Sequence, residues 1–356
     1  MSKILIIAEA GVNHNGDINL AHKLIDAAKN ANADVVKFQT AKAEMLVSKY
    51  AEKAEYQKQT TAADENQLDM LNKITLKYED FIELKRHCKE IGIGFLSTPF
   101  ESESLHFLVN ECQMEWLKIP SGEITNAPFL LEVARTGKNI ILSTGMSTLG
   151  EIEMALGILS FGYLYDKNPA SLYDFLKAYA EAQKTGILKE KISLLHCTTE
   201  YPTPFNEVNL AAMDTMRQAF GLPTGYSDHT PGIAISMAAA ARGATIIEKH
   251  FTLDKNLPGP DHKASLEPNE LKNMVDGIRQ IEQSIGDGVK IPTEHEYGNM
   301  KIARKSLIAK RAIKVGETFT EENITVKRPA TGISPLQYWQ ILGTTSKKNY
   351  EEDQIL

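Results

Sequence analysis

The sequence predicts a parallel (β/α)₈ barrel, a TIM barrel, followed by a small β-rich module. Three observations carry this. Eight short apolar runs recur through the first two-thirds of the chain, helical patterns separate them, and from about residue 304 the character changes to short β-rich pieces broken by Gly and Pro. Strand and helix alternating in this way build a parallel sheet, and eight repeats close it into a barrel of roughly 250 residues. A chain of 356 residues therefore has room for one barrel and one small second module.

The runs justify the strands in order. ILIIAEAG (4–11) comes first, followed by the helical pattern LAHKLIDAAKNA (20–31) and by VVKFQT (35–40). Then come IGFLSTPF (93–100), WLKIPSG (116–122), IILSTG (140–145), ISLLHCT (192–198), TGYSDH (224–229) and IIEKHFT (246–252), with LLEVARTG (130–137) among the intervening helices. Each run has the length of a buried strand, and most stop at polar or charged residues. In this fold the catalytic groups sit at the C-terminal strand ends. Those ends carry Glu9, Lys37, Gln39, Thr98, Lys118, Ser121, Glu123, His229 and His250.

Two insertions interrupt the pattern. Residues 41–78 far exceed an ordinary βα loop of about 2–6 residues and lie on the ligand-binding side of the barrel. Residues 162–190 contain an amphipathic stretch that predicts an added helix, and EPNELKNMVDGIRQIEQSIGDG (267–288) reads as the last barrel helix with a Gly stop. The expected organisation is a barrel over 1–288, a linker over 289–300 around Pro292, and a β-rich domain over 301–356. A domain of ~55 residues is small for an independent core, so it is expected to lean on its own barrel or on a partner's.

The acidic balance, 46 Asp and Glu against 39 Lys and Arg, excludes nucleic acid or an anionic membrane surface as the main partner. No apolar run approaches the ~18 residues of a membrane span. Cys88, Cys112 and Cys197 lack CxxC or zinc spacing, and the sequence opens without a leader-like segment. The expectation is a cytoplasmic protein with structural thiols.

His229 in YSDHT and His250 in EKHFT end the seventh and eighth strands. Neighbouring strands lie about 4.8 Å apart, so two inward imidazoles there can ligate one divalent metal and leave positions open for water and substrate. Glu9 or Glu123 could assist; the alternative is a pair of polar-core histidines. Lys37 and Lys118 end the second and fourth strands, and alternation puts Gln39 on the face of Lys37. A buried lysine is costly unless an anion compensates it. With the hydroxyls of Thr98, Ser121 and Ser227, the two lysines look like a receptor for phosphate or carboxylate; otherwise each pairs with Glu9 or Glu123 in a structural network. Asp261, in GPDH (259–262), suits sugar hydroxyls, and Tyr201, in CTTEYPTP (197–204), suits a ligand contact, although turn chemistry and packing explain both equally well. AEAGVNHNG (8–16) is Gly-rich but lacks dinucleotide or Walker spacing.

AEAGVNHNG, VKFQT, STPF, LKIPSGEI, STGM, HCTTEYPTP, YSDHT, EKHFTLD and GPDHKASLEP occur in this order. Together they resemble the sialic acid synthase family of nonulosonic acid synthases. ARKSL followed by KRPATGISP resembles that family's C-terminal domain, the antifreeze-like (SAF) domain. The resemblance spans nearly the whole chain. It implies condensation of phosphoenolpyruvate with the open-chain aldehyde of an N-acetylmannosamine-type sugar, giving a nine-carbon 2-keto acid and phosphate.

By the same resemblance, His229 and His250 match the ligands of a divalent ion, manganese expected, with magnesium or cobalt as alternatives. Lys37, Thr98, Lys118, Ser121 and Ser227 match phosphoenolpyruvate contacts; Gln39, Tyr201 and Asp261 match sugar contacts; Glu9 and Glu123 match acidic residues near the aldehyde. Arg328, in KRP, matches an arginine that the C-terminal domain inserts into the other subunit's barrel, which implies a domain-swapped homodimer. Two positions depart from the pattern: Thr199 stands where some sialate synthases have Asn, and Ile302 where some have an aromatic residue. The product is therefore open between N-acetylneuraminate and N,N'-diacetyllegionaminate. A related aldol-type synthase acting on a phosphorylated sugar would need an arginine cluster that the sequence lacks. A non-catalytic carbohydrate-binding protein would not need both lysines and both histidines.

Overall fold

Eight parallel strands make one sheet: β1 (Leu5–Gly11), β2 (Val35–Thr40), β3 (Gly94–Pro99), β4 (Trp116–Ile119), β5 (Asn139–Ser143), β6 (Ile192–His196), β7 (Thr224–Asp228) and β8 (Ile246–His250). Their order is β3-β2-β1-β8-β7-β6-β5-β4, so the ladder runs around a barrel and is open only between β3 and β4. This computed structural model describes residues 3–48, 50–51 and 66–356. It divides into two units, Met1–Ile285 and Gly286–Leu356.

The barrel strands are buried on both faces, which is why they read as continuous apolar runs. Outside them, several helices present one apolar stripe each. Ile18–Asn30 buries Ala21, Leu24, Ile25 and Ala28 and is capped by Asp17, whose carboxylate accepts from Asn19 N. Pro268–Ser284 buries Leu271, Met274, Val275 and Ile278. Asp34 ties three elements together at the start of β2. Its Oδ2 accepts from Ile6 N at 2.9 Å and from Arg279 Nη2 at 2.5 Å.

The insertion at 162–190 supplies the expected added helix, Leu172–Thr185, followed by Ile187–Lys191. Among its described residues, the insertion at 41–78 contains two short helices, Ala43–Leu46 and Gln67–Ile74, the second capped by Asn66; residues 49 and 52–65 lie outside the described residues.

Register sets the inward groups. Glu9 is the Cα partner of Lys37 on one side and of His250 on the other, Gln39 of Thr98, and Ser227 of Glu248. On the opposite face of β7 and β8, Asp228 Oδ2 lies 3.1 Å from Lys249 Nζ, both side chains 0% exposed. Ser236 Oγ and Thr230 N also donate to Asp228, at 2.6 and 2.9 Å, so the buried pair has the additional hydrogen bonds that such a pair requires.

The second unit has its own small core of Leu307, Ala309, Ile313, Phe319, Ile324 and Leu356. Strands β9 (Ser306–Ala309) and β10 (Ile324–Lys327) pair antiparallel within it. The stretch read as a linker is partly helical: Glu294–Ala303 forms a helix because Thr293 and Glu296 cap each other reciprocally. The three cysteines are buried and unpaired. Burial pushes the Cys88 thiol up to about 12 and the Cys112 thiol up to about 11. Among the described residues, no helix is long and apolar enough to cross a membrane.

Candidate active site

A cavity of about 380 Å³ opens at the C-terminal end of the barrel strands. Glu9, Lys37, Gln39, Thr98, Lys118, Ser121, Glu123, Tyr201, Ser227, His229, His250 and Asp261 all line it. Every barrel residue singled out in the sequence is therefore brought to one place. Arg328 belongs to the second unit, where it is exposed and its Nε donates to Ala303 O at 2.8 Å.

Below the strand ends, four ionisable groups interlock. Lys37 Nζ lies 2.9 Å from Glu9 Oε2 and 3.6 Å from Glu248 Oε2, and donates to Thr98 Oγ1 at 3.1 Å. Lys118 Nζ lies 3.5 Å from Glu248 Oε1, which also accepts from Ser227 Oγ at 2.8 Å. Burial opposes the charge on Lys37, but Glu248 and Glu9 outweigh it and raise its pKa. Lys118 ends lower than an ordinary lysine, because burial and the charge of Lys37 outweigh its attraction to Glu248. Glu248 is held down to about 2: burial would raise it, and Lys118 and Lys37 more than reverse that. Glu9 is raised, chiefly by burial, with Lys37 opposing and Glu248 adding to the rise.

Glu248 was not among the residues read from the sequence. The signal was present, since it stands two residues before His250 and alternation puts both on the inward face. Glu123, by contrast, pairs with no lysine among the described residues. β4 ends at Ile119 and Ser121–Glu123 forms a 3₁₀ turn that leaves the strand alternation, so Glu123 is half-buried and its Oε2 accepts from Asn126 Nδ2 at 2.6 Å.

Local backbone features bring these groups together. β1 carries a bulge between Glu9 and Gly11, and Gly11 has φ +53°. A Cβ there would come within 3.3 Å of both Gln39 Nε2 and Glu9 Oε1, the two atoms that join in a 3.0 Å hydrogen bond. At the end of β5, Gly145 N donates to Ser121 Oγ at 2.9 Å, and a Cβ would stand 2.4 Å from Thr199 Oγ1. Only glycine permits that approach.

The two imidazoles lie side by side, ring centroids 5.5 Å apart, with the Tyr201 ring 4.1 Å from His229 and 5.6 Å from His250. His229 Nδ1 donates to Thr198 O at 2.6 Å, which fixes the tautomer and leaves the Nε2 lone pair free of a proton. Burial lowers its pKa to about 4, and that of His250 well below the ordinary value. His250 Nδ1 is buried without a hydrogen-bond partner, 3.6 Å from Asp261 Oδ2. Burial and the charge of Glu9 push Asp261 up to about 7. One carbonyl-anchored imidazole beside a second with a bare buried nitrogen fits a two-histidine half-site for a divalent ion. Among the described residues, no set of three or more His, Cys, Asp or Glu completes it.

Residues 24–290 match the NeuB family and residues 304–356 match the SAF domain. The chain belongs to the NeuB family. It is 54% identical to an N,N'-diacetyllegionaminic acid synthase of Campylobacter jejuni, over 100% of this chain and 99% of the relative. It is 43% identical to a protein of the same description from Legionella pneumophila, over 97% and 90%. Among solved structures, the N-acetylneuraminic acid (sialic acid) synthetase of Leptospira borgpetersenii, in complex with citrate, matches with a TM-score of 0.67 at 33% identity, covering 84% of this chain and 90% of that one.

Proposed function

We propose that this protein is a nonulosonic acid synthase that condenses phosphoenolpyruvate and water with the open-chain form of a 2,4-diacetamido-trideoxymannose, giving N,N'-diacetyllegionaminate and phosphate. The observation that carries the reaction class is the convergence of Lys37 and Lys118 on Glu248, beside two neutral imidazoles in one cavity. The sugar follows the two relatives matched over nearly their full length.

Phosphoenolpyruvate binds over the two ammonium groups, and the hydroxyls of Thr98, Ser121 and Ser227 donate to its oxygens. Its methylene carbon forms the new bond to the aldehyde carbon of the sugar. Water adds to the cation left at C2, and the tetrahedral intermediate loses phosphate by C–O cleavage, with Lys37 and Lys118 bearing the charge of the leaving group. Glu9 and Asp261, whose proton affinities are raised by burial, are the groups able to hold the proton that the new alkoxide takes up. Gln39 and Tyr201 hold the sugar. His229 and His250 would hold a divalent ion, manganese by family expectation, which supplies Lewis-acid polarisation of the aldehyde. The working form is read as a cytoplasmic homodimer in which Arg328 of each chain completes the other chain's site.

The test is phosphate release from phosphoenolpyruvate labelled with oxygen-18 at the bridging position, with manganese and after chelation. Released phosphate should carry the label, and chelation should abolish turnover until the ion is restored. Unlabelled phosphate excludes the C–O route; full turnover in rigorously metal-free protein removes the two histidines from the ligand role.

A further inference from the structure

Chemically, the cavity is layered. Its charged groups lie on the barrel strands and in the segments that follow β4 and β8, whereas the insertion that follows β2 contributes a wall of mostly apolar side chains, Leu46, Val47, Met70, Leu71 and Ile74, with Gln67 and Thr75 beside them and Val12, just past β1, adjoining. Met70 and Ile74 are 2% and 9% exposed and anchor the helix Gln67–Ile74, while Leu46, Val47 and Leu71 are half-buried. An acceptor sugar must bring its aldehyde carbon down to the ionic layer, where phosphoenolpyruvate is held. Its far end, C4 to C6, is then left at the height of the loops.

We infer that this wall, with Leu46 and Leu71 as its principal residues, selects the acceptor by the apolar groups at its far end. The inference rests on the synthase reading above and adds which residues choose the sugar. A 2,4-diacetamido-trideoxymannose carries an acetamido methyl at C4 and a bare methyl at C6, where N-acetylmannosamine carries hydroxyls. Methyl groups lose water favourably against leucine and valine; hydroxyls placed against Leu46 and Leu71 lose hydrogen bonds to water that those side chains cannot replace. One such difference in an apolar pocket discriminates about 10- to 200-fold.

The experiment measures kcat/KM with each of the two sugars for wild type, Leu71→Gln, Leu46→Gln and the shape-conserving Leu71→Met, together with the KM for phosphoenolpyruvate and the melting temperature. Wild type should prefer the diacetamido sugar by at least about 10-fold, and either glutamine variant should shrink the preference about 10-fold with phosphoenolpyruvate binding retained. Leu71→Met should keep the preference. Leu46 and Leu71 lie on separate helices, so one variant decides if the other fails to fold. An unchanged ratio in a folded glutamine variant overturns the wall, as does a wild type that prefers N-acetylmannosamine. A wild type that condenses neither sugar overturns the synthase reading itself.

Discussion

Lys118 Nζ stands 3.5 Å from Glu248 Oε1, both side chains only 4% exposed. That is wider than the ~2.7–2.9 Å of a tight charge-assisted hydrogen bond. The buried ammonium is therefore held by a carboxylate at a distance and has donors left for an incoming anion. Lys118→Ala should raise the KM for phosphoenolpyruvate about 10- to 150-fold, corresponding to the ~1.5–3 kcal/mol of a charge-assisted contact. Sugar binding should suffer less. A KM for phosphoenolpyruvate equal to that of wild type would contradict the anion site.

Glu248 is the carboxylate shared by the two buried lysines, and it compensates Lys118 while Glu9 also compensates Lys37. Glu248→Gln leaves Lys118 without a carboxylate partner and Lys37 with Glu9 alone, and breaking a buried ion pair costs about 3–5 kcal/mol. The variant should melt well below wild type, and millimolar phosphate or phosphoenolpyruvate should raise its melting temperature more than it raises that of wild type. If anions stabilise the two proteins equally, Glu248 is not the stand-in for substrate charge.

Asp34 gives a pH dependence away from the cavity. Burial would raise its pKa, but Lys3, Ile6 N and Arg279 outweigh burial and depress it. A depressed carboxylate stabilises fully above its unfolded value near ~3.9, and the contribution is lost as pH falls through the lower native value. Asp34→Asn should therefore cost about 1.5–3 kcal/mol in denaturant melts at pH 7 and progressively less below about pH 4. A cost independent of pH would mean that charge is not what Asp34 contributes.

Arg328 is tested by mixing chains. In the proposed domain-swapped homodimer, His250→Ala disables a barrel and Arg328→Ala disables a C-terminal domain, so each variant alone should be inactive. Random exchange at equal ratio makes half of the dimers mixed, each with one intact site, and recovery should reach about a quarter of wild-type activity for an isologous swap. No recovery, with exchange confirmed by mass spectrometry, would confine Arg328 to its own chain.

The eight strands were legible because parallel strands buried on both faces must be apolar throughout, and the polar residues at their ends marked the site. Pairings were less legible. Asp228 and Lys249 each adjoin a predicted ligand, and only the register of β7 against β8 shows that they meet on the far face. Glu248 was hidden in a run read for its histidine. The helix at Glu294–Ala303 had a capping signal in Thr293 and Glu296, but the polar composition there reads equally well as linker. The approach of the Tyr201 ring to His229 depends on the path of a loop, which local spacing does not encode.

The alternation on β7 and β8 also bears on how the barrel assembles. Ser227, His229, Glu248 and His250 point inward, and Asp228 and Lys249 point outward, where neither is exposed. A slip of one residue in either strand would turn that strand's inward set outward, part Asp228 from Lys249 and leave one of the two buried charges unneutralised. Because ionic groups on both faces find partners in a single alignment only, misaligned closure carries a heavy electrostatic penalty, and the pair behind the histidines acts as a proofreading element for the strand ends in front of it.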